Sequence, residues 1–278
     1  MSEPLLQRLA SHASGLLGRD SAIIRALRPL YEALLDRATA GRGFVRVVNG
    51  RERLRVNPRW RGLFPEVYEP SVCAYLRDGV RPGDVCLNVG AHVGLITLCL
   101  AEWSKPGGRV FAFEPNPRTR AILSDHVRRN AARDRVEVVG AAVADAAGTA
   151  DFFADEAEGT SRLGAPSPER ARAHDRITVP VTTLDVFCAE RKLRPDWIVM
   201  DVEGYEVAAL RGARGTLLAG DCGLVVEMHP HLWASAGTSR AQLESLLAEL
   251  RLVPYGLQGQ RDPLAVPGVV ALKRPSAA

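Results

Sequence analysis

One ten-residue run, Val85-Cys-Leu-Asn-Val-Gly-Ala-His-Val-Gly94, restricts this chain more than any other. Five residues of strand character reach a glycine, and from His92 to Trp103 the apolar side chains then recur at helical spacing. Gly90 allows a sharp turn and close backbone approach, and Gly94 allows the helix to pack near the strand. Such a strand–turn–helix unit holds its ligand beyond the carboxyl end of the strand. The same rhythm continues to the end of the chain. Strands are predicted at Arg109–Phe113, Val136–Val143, Trp197–Val202 and Leu224–Met228, with helices at Arg118–Ala132, Tyr205–Leu218 and Ala241–Leu250. Thr149–Phe153 and Ile177–Leu184 read as strands around a polar loop. Val253–Leu257 and Val266–Leu272 read as an antiparallel pair closing the sheet. Strands alternating with helices predict an α/β fold, a mostly parallel sheet covered on both faces.

The front of the chain differs. Leu5, Leu6 and Leu9 mark one apolar helical face, and Ile23, Ile24, Leu27, Leu30, Leu34 and Leu35 a second. Two alternating runs then flank Asn49-Gly50, the dipeptide favoured in a tight type I′ hairpin. A short helix is expected near Ser71–Asp78. Residues 1–79 are therefore read as a helical and hairpin cap, and 80–275 as the main domain. The cap could line a substrate pocket or form a homodimer interface.

Bulk properties exclude several classes. Of 278 residues, 46% are hydrophobic and 24% charged, the balance of a packed soluble domain. A net charge of +4 is too small to argue for nucleic acid, and no basic stripe with interleaved aromatics occurs. None of the five cysteines forms a CxxC pair, and buried reduced thiols fit a reducing compartment. The N-terminus has no basic segment followed by a long apolar one, and no stretch is long enough to span a membrane. A cytoplasmic location is expected.

The glycine turn reads GxxxG. A dinucleotide site reads GxGxxG, because a pyrophosphate needs backbone close at the middle position. Here that position is His92, which favours an adenosyl ligand without phosphates. The next strand ends in Phe113-Glu-Pro-Asn116, and a carboxylate at Glu114 can accept hydrogen bonds from both ribose hydroxyls.

These residues resemble the FkbM family of methyltransferases. Asn88-Val-Gly-Ala-His-Val-Gly94 is similar to the family's D-x-GA-N-x-G, and Phe113-Glu-Pro-Asn-Pro117 to F-EPNP. Tyr68-Glu-Pro70, Thr183-Leu-Asp185, Asp201-Val-Glu-Gly-Tyr-Glu206 and Glu227-Met-His-Pro230 follow in the family's order, so the likeness spans about residues 68–230. It implies a Rossmann-like class I methyltransferase fold with a seven-stranded sheet. It also implies S-adenosylmethionine as cofactor and a small-molecule acceptor, a secondary metabolite or saccharide methylated on a hydroxyl oxygen. Carried over position by position, the cofactor residues are Asn88, Gly90, Ala91, His92, Gly94, Glu114, Pro115 and Asn116. The chain departs from the pattern at Asn88 (usually Asp), His92 (usually Asn) and Val199 (often Lys). An amide can still hold the turn, so cofactor binding is expected. Gly159–Leu163 is similar to a polar family loop that could cover the site or lie on the surface.

Methyl transfer from a sulfonium to a hydroxyl needs alignment, exclusion of water and removal of a proton. Asp201, Glu203, Glu227 and His229, at the ends of two successive strands, are the candidate catalytic groups. In one chemistry His229 or Asp201 is the general base, with Glu203 or Glu227 orienting the acceptor. In the other, Asp201, Glu203 and Glu227 hold a divalent cation such as Mg²⁺ that acidifies the hydroxyl. The cation-free version is the one favoured. His229 could instead cap its strand, and DVEGYE could cap a helix, Glu206 suiting the helix N-terminus. His12, His126, His174 and His231 read as surface residues. Two rivals stand beside the methyltransferase: a non-catalytic cofactor-binding partner protein, and an NAD-dependent oxidoreductase, which lacks here both the middle glycine and a hydride-transfer pair.

Overall fold

In a computed structural model of the chain, residues 22–154, 162–163 and 175–275 are described. The first front helix, His12, His174 and most of the 159–163 loop lie outside them. The chain divides into two compact units, residues 1–68 and 69–278. The first contains α1 (Ala22–Ala38) and a hairpin of β1 (Phe44–Val48) and β2 (Glu52–Val56). Asn49 and Gly50 both take the positive φ that a type I′ turn requires, and Arg51 N closes the turn on Val48 O. Val48, Val56 and Phe64 are buried.

The second unit begins with α2 (Pro70–Gly79), so the helix near 71–78 belongs to it. Then follow β3 (Val85–Val89), α3 (Leu95–Trp103), β4 (Arg109–Phe113), α4 (Pro117–Arg129) and β5 (Val136–Val139). After an intervening segment come α5 (Leu184–Arg191), β10 (Trp197–Met200), α6 (Glu206–Arg211), α7 (Arg214–Ala219) and β11 (Gly223–Met228). The unit closes with α8 (Pro230–Trp233), α9 (Arg240–Leu250), β12 (Val253–Gly256) and β13 (Gly268–Lys273).

The main sheet has seven strands in the order β12-β13-β11-β10-β3-β4-β5. Among the described residues, β13 pairs antiparallel with β11 and β12, and the other pairings of this sheet are parallel. Strand residues alternate between its faces. Leu87, Val89, Phe111, Phe113, Ile198, Met200 and Val226 share one core with Phe187 of α5, Leu210 of α6, Leu217 of α7 and Leu247 of α9. Asn88, on the opposite face, donates through Nδ2 to Thr97 Oγ1 of α3 (2.8 Å). The chain order runs outward from β3 in one direction and from β10 in the other. The carboxyl ends of these two central strands therefore flank the crevice where such sheets bind ligands.

The sequence reading differs from the structure in the middle of this unit. Val136–Val143 breaks at Gly140, and β6 (Ala142–Val143) joins β7 (Gly148–Ala154), β8 (Arg162–Leu163) and β9 (Asp175–Thr182) in a separate four-stranded sheet, order β6-β9-β7-β8. Along β9, Val179 and Val181 are buried while Thr178 and Pro180 are exposed. That alternation marks a sheet with one solvated face, whereas the central strands are continuous apolar runs. Leu184 is not strand: Thr183 Oγ1 accepts from Val186 N and caps α5 (3.0 Å). Asp185 reaches α7, accepting from Gly215 N and from Thr216 N and Oγ1 (2.7 Å each). The expected 205–218 helix is two, split at Gly212. A β-carbon on Gly212 would sit 2.0 Å from Ala144 O, so the chains meet there only through glycine.

His126 is a correction. It is fully buried on α4, with Nδ1 2.8 Å from Val93 O, and belongs to the support of the glycine turn. The five cysteines are all reduced thiols. Burial raises the thiols of Cys86, Cys188 and Cys222, the last to about 12, so these three are not nucleophiles near neutral pH.

Candidate active site

The glycine turn is stitched to both neighbouring strands. Gly90 N and Ala91 N donate to Phe113 O (3.1 and 2.9 Å), and Asp201 N donates to Val89 O (2.9 Å). Gly90 takes φ +81°, and a β-carbon there would lie 1.7 Å from Asp201 O. Gly94 N closes the turn on Ala91 O at 2.9 Å. At φ +96°, its missing side chain leaves room for Leu123 of α4. His92, between them, also takes a left-handed φ of +49°. Burial lowers its imidazole pKa, so it is neutral near pH 7.

Glu114 follows β4 and is buried, at 5% exposure. Oε2 accepts from His92 N (2.8 Å) and Oε1 from Asn116 N (2.9 Å). Burial pushes its carboxyl up to about 7, against the pull of those two amides and of Arg120. Each oxygen keeps a second acceptor site for a ligand hydroxyl. Asn116 caps α4 by accepting from Arg118 N (3.0 Å), and its Nδ2 is buried without a hydrogen-bond partner. The Pro115 carbonyl accepts from Arg120 Nη1 (3.0 Å). The residues expected to hold the cofactor thus lie together at the carboxyl ends of β3 and β4. Asn88 is the exception: its amide is turned back onto α3.

The second group sits beside these strand ends. β10 ends at Met200, so Asp201 and Glu203 do not share a strand face. They lie on a loop in which Glu203 and Gly204 both take positive φ (+49° and +99°). The loop still brings them together with the end of β11. His229 Nε2 is 3.6 Å from Glu203 Oε2, 3.7 Å from Glu227 Oε1 and 3.9 Å from Asp201 Oδ1. Its Nδ1 is 2.8 Å from Glu206 Oε1. Burial alone would lower the His229 pKa. The Glu206 hydrogen bond and the charges of Asp201, Glu203 and Glu206 outweigh it and raise the pKa to about 9. The imidazole is therefore protonated near neutral pH.

Asp201 behaves oppositely to an ordinary surface carboxylate. Its side chain is 43% exposed, yet Oδ1 is buried and has no hydrogen-bond partner. Burial raises its pKa well above the usual range. The charges of Glu227, Glu203 and Glu206 act in the same direction, and His229 opposes them. Asp201, Glu227 and His229 each offer a ligand atom within 4.8 Å of the others. An orphaned carboxylate oxygen, a second carboxylate and an imidazole are a donor set that fits a divalent cation. His229 takes the place that Glu203 held in the sequence-based trio.

Two nearby groups were not picked out as site residues from sequence. Glu69, in Tyr68-Glu-Pro70, takes a left-handed φ of +36°. Burial and the charge of Glu227 push its carboxyl up to about 7, while a hydrogen bond with Gln258 opposes. Glu206 was read as a helix-end charge, but its carboxylate is the partner of His229. Both stand in motifs noted from sequence, so only the fold could show what they touch.

The sheet order, with a glycine turn after β3 and a carboxylate after β4, defines a Rossmann-like α/β fold. Residues 88–252 match the methyltransferase FkbM domain, and the chain belongs to that family. It is 41% identical over 109 residues to 31-O-demethyl-FK506 methyltransferase FkbM of Streptomyces tacrolimicus, covering 37% of this chain and 39% of that protein. It is 27% identical to 2-O-methyltransferase NoeI of Sinorhizobium fredii over 49% of this chain and 60% of the relative. Hexuronic acid methyltransferase AglP of Haloferax volcanii is 25% identical, over 66% of this chain and 70% of its own length. The chain thus spans less than two thirds of the first two relatives. Among the described residues, no helix is long and apolar enough to cross a membrane.

Proposed function

We propose that the protein transfers the methyl group of S-adenosylmethionine to a hydroxyl oxygen of a small-molecule acceptor, a saccharide or a secondary metabolite. One observation carries this reading: the cofactor turn and the acid–histidine cluster touch, Gly90 lying against the carbonyl of Asp201. A sulfonium methyl held at the turn and an oxygen held at the cluster would then be neighbours, as in-line transfer requires. The relatives named for O-methylation support the choice of oxygen.

In this reading the Glu114 carboxylate accepts from the ribose hydroxyls, and Asn116 Nδ2 supplies a donor. His229, already protonated, orients the acceptor oxygen instead of deprotonating it. Asp201, whose Oδ1 is buried without a hydrogen-bond partner, takes the hydroxyl proton as the oxygen attacks. Glu203 and Glu227 fix the acceptor. Asp201, Glu227 and, once it gives up its Nε2 proton, His229 are the residues that would hold a divalent cation, which when bound would lower the pKa of the acceptor hydroxyl.

The test is turnover of S-adenosylmethionine with neutral sugars and with secondary alcohols, with Mg²⁺ and with chelator, reading methylated product by mass. Loss of turnover with chelator would assign the cluster to a cation, and retention would assign the chemistry to the side chains alone. Binding of NAD in place of S-adenosylhomocysteine would overturn the reading, and cofactor binding without turnover on any acceptor would favour a partner protein.

Cofactor binding should also depend on pH. The unfolded Glu114 titrates near 4.5 and the folded one near 7. The folded apo-protein therefore holds an extra proton between these values. The stability this contributes is complete below about 4.5 and is lost as pH rises through 7. The ionised carboxylate is the form that accepts from ribose, so affinity moves the other way. S-adenosylhomocysteine should bind about tenfold more tightly at pH 8 than at pH 6. Calorimetry on the wild type and Glu114→Gln checks this; equal slopes in both would remove Glu114 from the site.

A further inference from the structure

The proposed chemistry uses the Nε2 side of His229, while the other side of the ring is held by a group outside the acceptor site. Glu206 is fully buried, and its carboxylate meets three N–H donors. Gly204 N and His229 Nδ1 share Oε1 at 2.8 Å each, and Trp233 Nε1 binds Oε2 at 2.7 Å. Gly204 N and Trp233 Nε1 can only donate, so both Glu206 oxygens serve as acceptors; Nδ1–H donates to Oε1 in turn, and Nε2 is the nitrogen left to face Asp201, Glu203 and Glu227. The three donors come from separate places: the loop after β10, the residue beyond β11, and α8. Gly204 cannot be replaced easily, since a β-carbon there would lie 2.6 Å from Leu232 Cβ. Glu206 therefore ties the loop carrying Glu203 to the ring of His229.

We infer that Glu206 is a positioning residue. It fixes the ring plane of His229 with Nδ1–H turned onto its carboxylate, and it holds the 201–205 loop so that Nε2 and the Glu203 carboxylate address one acceptor oxygen. What His229 then does rests on the methyltransferase reading; the orientation itself does not. A neutral amide is a poor substitute, because only a carboxylate accepts on both oxygens. Glutamine at 206 could satisfy Gly204 and His229, or Trp233, but not all three.

Two variants separate orientation from support. Glu206→Met keeps bulk and removes every acceptor. Glu206→Gln combined with Trp233→Phe removes the third donor, so the amide oxygen can serve Gly204 and His229 alone. The readout is the ring ¹H–¹⁵N spectrum of protein labelled at histidine nitrogens, with His229 assigned by the signals lost in His229→Asn. The wild type should show a hydrogen-bonded Nδ1–H. That signal should be lost in Glu206→Met and retained in the double variant. A folded Glu206→Met protein with an unchanged His229 signal would overturn the inference. So would a folded double variant lacking the signal, or unfolding of both variants, which would make Glu206 a purely structural group. S-adenosylhomocysteine titrated calorimetrically into the wild type keeps the two questions apart. Failure to bind would sink the methyltransferase reading while leaving the spectra to decide the orientation of His229.

Discussion

Gly90→Ala is expected to cost more than about 3 kcal/mol of stability, combining left-handed strain with a steric collision. The added methyl would lie 1.7 Å from Asp201 O. That carbonyl cannot retreat freely, since Asp201 N is bonded to Val89 O in the same pair of strands. Either β3 and β10 separate or the turn changes shape, and both disturb the cofactor site. Thermal unfolding should move down by roughly 6 °C or more, with loss of S-adenosylhomocysteine binding. Gly83→Ala is the control. Gly83 also has positive φ (+95°), but nothing lies within 4 Å of a β-carbon there. It should cost only about 1 kcal/mol. Equal effects at the two positions would mean that φ alone matters and that the contact with Asp201 does not.

Asp201→Asn should separate chemistry from folding. The amide keeps the shape of the side chain but is no longer a base, so kcat should fall about 10²- to 10⁴-fold. S-adenosylhomocysteine should bind as before, because Glu114 and the glycine turn are intact. Stability should hold or rise. Asp201 crowds against Glu227, Glu203 and Glu206, and removing its charge relieves that repulsion. A variant that keeps its rate within tenfold, on whichever acceptor the wild type turns over, would remove Asp201 as the base. One that loses rate and stability together would make it a structural residue.

The alternating fold was legible because central parallel strands are apolar on both faces, and runs such as Val85–Val89 and Leu224–Met228 stand out whatever surrounds them. The four-stranded sheet was half legible. The strand character of 149–153 and 177–182 is written in their alternation, but which strand each would join depends on pairings far apart in sequence. Helix α5 was missed because Ile177–Leu184 reads as one continuous strand, and only the Thr183 cap marks where strand gives way to helix. At the site, Gly90 and Glu114 could be read from spacing, since a turn and a strand end are local features. Asn88 could not: whether it faces a ligand or α3 depends on which face of β3 it occupies. The depth of His126 and the bond between Glu206 and His229 join residues 33 and 23 positions apart, a scale at which no local pattern operates.

The tripeptide Thr183-Leu184-Asp185 helped mark the family, yet it takes no part in the chemistry proposed above. Thr183 starts one helix, Leu184 is fully buried in the core, and Asp185 fastens the first turn of another. It is joinery: three consecutive side chains, each closing a different seam. A chain stripped of its acidic cluster would still need these seams closed in order to fold. Finding the tripeptide in a sequence therefore speaks for an intact frame and is silent on whether a methyl group ever moves.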